Sequence, residues 1–98
     1  MALTHTLFSP RELALQVGEN ARALRLAQNL SRKTLAERAG ISESTIKRFE
    51  TTGQITLDAL VLLASSLGVV QQLSALFTQA QPVSLAELKQ SGRARGRK

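Results

Sequence analysis

The chain has no cysteine, tryptophan or tyrosine, and only one histidine and three phenylalanines among its 98 residues. Without cysteine there are neither disulfides nor thiolate metal sites. With so few aromatics, the core has to be built from Leu, Ala, Val and Ile, and RNA recognition by base stacking is disfavoured. No apolar run approaches the roughly 18–20 residues that cross a bilayer. The first residues lack a basic flank and an unbroken apolar segment, so no signal peptide is expected and the cytoplasm is the simplest compartment. Paired carboxylates, a Gly-rich phosphate loop and metal-ligand spacings are missing as well. His5 stands alone and reads as an ordinary surface or strand residue. Ser44-x-x-Lys47 has the spacing of a serine/lysine acylase without its companion motifs. These absences predict a protein that is not an enzyme and takes no metal or cofactor.

What is present is positive charge and helix-forming residues. The formal net charge is +6, which points to a polyanionic partner. Its distribution matters more: Arg93, Arg95, Arg97 and Lys98 lie in the last six residues, and without them nine bases face seven acids. The rest of the chain is only mildly basic. A Leu- and Ala-rich sequence with two prolines favours helix over sheet, and its length suits one domain with a small core.

The helix starts are legible. Ser9-Pro10-Arg11-Glu12 combines an N-cap, a first-position proline and a capping-box glutamate, with Phe8 and Leu13 as a hydrophobic staple. Leu13, Val17, Ala21, Leu24 and Ala27 then give an apolar face running to about Gln28, with Gly18 a local weakness and Asn29 suited to a left-handed cap. Ser31 caps a second helix that Gly40 ends, and Ser42 caps a third. Ile41 and Ile46 staple the third, and Ile46 and Phe49 point inward. Thr56 caps a fourth, strongly apolar helix carrying Leu57, Leu60, Val61, Leu63, Ala64 and Leu67, which Gly68 ends. Val69–Phe77 suits a helix face, but a short strand over Leu73–Thr78 stays open. Leu3, His5 and Leu7 alternate with Thr4 and Thr6 as in a short strand. Ser84, Glu87 and the Val83/Leu88 staple predict one more brief helix. The organisation expected is an N-terminal arm (1–8), one helical domain (9–79), a short helical segment (80–91) and a basic flexible tail (92–98).

Ser31 to Glu50 is the stretch that suggests function. Reading duplex DNA requires a helix exposed to the major groove and N–H groups aimed at phosphates. Leu35, Ala36, Ile41, Ile46 and Phe49 would clamp two helices together. Glu43, Ser44, Lys47 and Arg48 then lie along the outer face of the second, with Arg48 the candidate for a bidentate contact to guanine and Glu43 a specificity filter. Free N–H groups after Ser31 and Thr56, helped by Arg32 and Lys33, are candidate phosphate sites. Arg93, Arg95, Arg97 and Lys98 are candidate tail contacts to DNA. A packed helix pair with solvated charges is the plainer alternative.

The ordered set Arg25, Leu35-Ala36, Gly40-Ile41-Ser42, Ile46, Glu50 and Leu67-Gly68-Val69 resembles the Cro/C1-type (XRE) helix-turn-helix family, over about Val17 to Phe77. That resemblance implies an all-α, five-helix, lambda-repressor-like bundle, usually a homodimer on an inverted-repeat operator in double-stranded DNA. It implies base-facing roles for Ser42, Glu43, Ser44 and Arg48, and an internal ion pair between Arg25 and Glu50. Two positions depart from the family: Arg32 stands where glutamine is usual, and Thr51-Thr52-Gly53 replaces Asn-Gly. Leu7 to Leu13 is similar to the segment that leads into the first helix of HipB-type antitoxins. This narrower resemblance implies autoregulation of an operon, a HipA-type kinase toxin as partner, and a dimer strand near Leu73–Thr78. An apolar dimer surface would include Val70, Leu73, Leu76 and Phe77. A free-standing or phage-like repressor, and an interaction module with secondary DNA binding, are the alternatives.

Overall fold

In a computed structural model of the chain, residues 8–79 are described. Four hydroxyl side chains open four of the five helices among the described residues. Ser9 accepts from the Glu12 N–H at 3.1 Å while the Glu12 carboxylate accepts from the Ser9 N–H at 2.9 Å, the reciprocal pair that starts α1 (Pro10–Ala27). Ser31 accepts from the Thr34 N–H ahead of α2 (Arg32–Ala39), Ser42 from the Thr45 N–H ahead of α3 (Glu43–Thr52), and Thr56 from the Ala59 N–H ahead of α4 (Leu57–Leu67). Each bond satisfies a donor that the first helical turn leaves without a partner. The stops are equally local: α2, α3 and α4 end at Gly40, Gly53 and Gly68, all with positive φ, and Asn29 (φ 60°) turns the chain left-handed after α1. The all-α, five-helix bundle is therefore formed, and no strand occurs among the described residues.

The core sits where α2, α3 and α4 meet. Leu35, Ile46, Phe49 and Leu63 are its most deeply buried large side chains, joined by Ala36, Ala39, Ala64 and Leu67. Leu24, Leu30, Ile41, Ile55, Leu60 and Val69 close its edges. It is aliphatic except for Phe49, as the composition requires.

Helix α1 lies against α3 and uses only part of its expected apolar face, Ala21 and Leu24, which pack against the core. Leu13 and Val17 are 52% and 42% exposed and Ala27 is exposed, whereas Gly18 and Arg25 are buried. Contact is made through small residues. A Cβ added at Gly18 would overlap the Phe49 carbonyl oxygen, and one at Gly53 would overlap the Ala14 backbone. Gly18 is thus the point of closest helix approach rather than a weakness in the helix. In α4, likewise, only Leu63, Ala64 and Leu67 are fully buried, while Leu57, Val61 and Leu62 face outward.

The segment left open between helix and strand is a short helix, α5 (Val70–Ser74), followed by a turn over Ala75–Phe77 in which Phe77 has φ 67°. Among the described residues a strand at Leu73–Thr78 has no neighbour to pair with, and the backbone satisfies itself locally: the Leu76 N–H reaches Leu73 and the Thr78 N–H reaches Ala75. The alternating residues before Phe8, the helix anticipated near Leu85–Gln90 and the tail arginines Arg93, Arg95 and Arg97 with Lys98 lie outside the described residues.

Candidate nucleic-acid interface

The α2–turn–α3 unit is fixed from inside. Gly40 and Ile41 both donate to the Ala36 carbonyl (2.9 and 3.2 Å), and Ile41 tucks against the core. On α3, Ile46, Phe49 and Glu50 are buried, whereas Ser42, Glu43, Ser44, Lys47 and Arg48 are all exposed. Three- and four-residue spacing puts Ser44, Lys47 and Arg48 on one strip of the helix. The five candidate base-reading residues do not have equal freedom. The Ser42 hydroxyl accepts the Thr45 N–H and lies 2.7 Å from Thr45 Oγ1 and 3.1 Å from Ser44 Oγ, so it belongs to the cap. Glu43 holds the first helical position, where a carboxylate also favours the helix dipole. Lys47 and Arg48 make no ion pair with another described residue.

The unusual Thr51-Thr52-Gly53 sequence has a local explanation. Thr51 Oγ1 donates to the Lys47 carbonyl (2.8 Å) and Thr52 Oγ1 to the Arg48 carbonyl (2.6 Å), each hydroxyl bonding back to the carbonyl four residues before it. Gly53 then reverses the chain, and Gln54 comes back alongside Arg48, its side-chain oxygen accepting from Arg48 Nε at 3.1 Å and from Nη2. Nothing in the sequence pattern pointed to Gln54.

Arg25, Arg32 and Glu50 form one cluster joining α1, α2 and α3. Arg25 donates Nε to Glu50 Oε2 (2.7 Å), Nη2 to Glu50 Oε1 (3.1 Å) and Nη1 to the Leu30 carbonyl (2.8 Å). Arg32 donates Nε to Glu50 Oε1 at 2.9 Å. Burial pushes the Glu50 carboxyl upward, but the hydrogen bonds and charges of the two arginines outweigh it and hold the group below the usual range. The side chain of Glu50 is only 1% exposed, against 30% for Arg32. Arg32 was expected to add charge for phosphate; its guanidinium is instead committed in part to a buried carboxylate. The shared-charge cluster gives an arginine at this position a structural role, and a contact between residues 18 apart leaves no periodic signal. No buried side-chain nitrogen or oxygen among the described residues lacks a hydrogen-bond partner.

Of the other phosphate candidates, Ser31, Lys33 and Thr56 are exposed. Ser31 and Thr56 act as caps, leaving the N–H groups of Arg32 and Lys33 and those of Leu57 and Asp58 directed outward. The two helix ends differ electrostatically. Lys33 favours an anion at α2, while Asp58 in the first turn of α4 opposes one. Between α3 and the start of α4 runs an open cleft of about 540 Å³, bordered by Ser42, Thr45, Arg48, Gln54 and Thr56.

In and after α5, Val70 and Leu73 are half-buried, Leu76 is 55% exposed and Phe77 is completely exposed. Among the described residues no group of acids and histidines is arranged to hold a metal, and no helix is long and apolar enough to cross a membrane. A helix-turn-helix family model matches residues 22–71, just over half of the 98-residue chain, spanning Arg25, the α2–α3 unit and α4. No curated protein matches the chain.

Proposed function

Because the chain belongs to the helix-turn-helix family and so is a DNA-binding transcription regulator, we propose that it is a sequence-specific repressor acting as a homodimer. The observation that carries this reading is the division of α3 into a wholly buried face (Ile46, Phe49, Glu50) and an exposed strip (Glu43, Ser44, Lys47, Arg48). Lys47 and Arg48 leave that strip positive, and a helix so presented fits the major groove. Ser31, Lys33 and the outward N–H groups of α2 would hold phosphate beside it, with Arg32 sharing its charge between phosphate and Glu50. Leu76, Phe77 and the outward residues of α4 would form the dimer contact. Two α3 helices would then meet half-sites about 34–36 Å apart.

Within this reading the partner is a HipA-type kinase toxin and the protein its HipB-like antitoxin, repressing its own operon in the cytoplasm, with no cofactor and no catalysis of its own. Support comes from the likeness of Leu7–Leu13 to HipB-type antitoxins. The exposed Phe8, Leu13 and Val17 at the start of α1 offer a surface that the bundle does not use. The free-standing or phage-like repressor lacks that partner.

Selection of random duplex DNA by the purified protein tests the central reading. Enrichment of an inverted repeat with half-site centres one helical turn apart is the expected result, and recovery of unenriched sequence overturns it. Co-expression with the adjoining gene's product separates the two repressor types: co-purification with a kinase-like protein is expected for the antitoxin, and its failure leaves a repressor acting alone.

A further inference from the structure

We propose that Gln54 is a positioning residue for Arg48 and, through it, a determinant of which base α3 selects; this rests on the DNA-reading role given to that face above. Gln54 is held in place independently of Arg48's side chain. Its N–H donates to Thr52 Oγ1 at 3.1 Å, and Thr52 Oγ1 donates to the Arg48 carbonyl, so the backbone of Gln54 is tied to the helical turn that carries Arg48. Gly53, whose added Cβ would overlap the Ala14 backbone, is pinned against α1 just before it.

The chemistry lies in which edge of the guanidinium is used. Arginine offers planar acceptors a side edge, Nε–H with one Nη2–H, and an end edge, Nη1–H with the other Nη2–H. The Gln54 oxygen takes the side edge, bonding both Nε and Nη2. The end edge stays open, and its two parallel donors match O6 and N7 of guanine in the major groove. Arg48 has no carboxylate partner among the described residues, so Gln54 orients the charge without neutralising it. An exposed arginine without such a support spreads over many rotamers, each reaching phosphate as readily as a base. Held by Gln54, it is biased toward the geometry that discriminates.

The test is a double-mutant cycle on the operator enriched by the wild-type protein and on the same duplex with adenine at the guanine position whose preference Arg48→Ala abolishes. Gln54→Met keeps the size of the side chain and removes the acceptor; Gln54→Glu keeps the acceptor. Both sites are exposed, so folding is not at stake. The guanine-to-adenine affinity ratio should fall about three- to tenfold in Gln54→Met, the scale of one net hydrogen bond. It should recover in Gln54→Glu, and Gln54→Met should have no effect on the ratio in an Arg48→Ala background. An unchanged ratio in Gln54→Met, or the same loss with Arg48 absent, overturns the proposal. A wild-type protein with no guanine preference overturns the reading role of α3 itself and this proposal with it.

Discussion

At Glu50 the charges of three helices meet, and this residue has the largest predicted single effect on stability. Its carboxylate is nearly inaccessible and is bonded by both Arg25 and Arg32. Because its folded pKa is lowered, the stabilisation is present above the ordinary carboxylate range and is lost as pH falls through the folded value. The melting temperature should therefore drop as pH is taken below about 4.5, the ordinary value for this group, and that decline should flatten in Glu50→Ala. The same substitution strands two arginines beside the core and should cost on the order of 3–5 kcal/mol in urea unfolding. Arg32→Ala should cost less, since its side chain is partly solvated. Equal losses for the two variants would show that Arg32 carries as much of the cluster as Glu50 does. Family likeness made the Arg25–Glu50 pair legible in the sequence. Arg32 was not legible as its third member, because its position at the start of α2 reads equally well as a phosphate contact.

For the helices, local chemistry could be read throughout and packing direction only in part. Ser9, Ser31, Ser42 and Thr56 mark their helix starts because a cap depends only on residues three apart. The inward faces of α2 and α3 were legible for a similar reason, being defined by Leu35, Ile46 and Phe49. The apolar face expected of helix α1 holds at Ala21 and Leu24, which pack against the core, and fails at Leu13, Val17 and Ala27, because periodicity weighs large side chains. Its real contact runs through Ala14, Gly18 and Ala21, which let its backbone reach α3. Gly18→Ala tests this directly. Helix propensity alone favours alanine by about 1 kcal/mol, but the added methyl meets the backbone of Phe49, which has no room to give. The variant should melt below the parent, whereas Val17→Ala on the exposed face should change stability by only about 0.5 kcal/mol. A Gly18→Ala protein that melts higher would mean that α1 does not approach α3 as described. Gln54 was hidden because chain reversal at Gly53 brings it to Arg48, and no pattern records that.

For the whole molecule, the unfinished surface is the one around α5. Phe77 is fully exposed beside a half-exposed Leu76, and the proposed homodimer would cover them with a second copy. Leu76→Asp combined with Phe77→Asp should shift the protein to monomer in sedimentation and weaken operator binding, leaving thermal unfolding of the monomer nearly unchanged. Persistence of the dimer would place the contact elsewhere. Charge is also a whole-molecule property, and four of the 13 basic residues fall in the last six. Base selection is accordingly assigned to a few exposed residues of α3 rather than to net charge. Methylation interference at guanine N7 on the selected operator tests that assignment most directly. The wild-type protein should be blocked by methylation of particular guanines in each half-site, and Arg48→Ala should become indifferent to one of them while keeping the others. An identical interference pattern in both proteins would contradict the assignment of Arg48, and with it the reading face of α3.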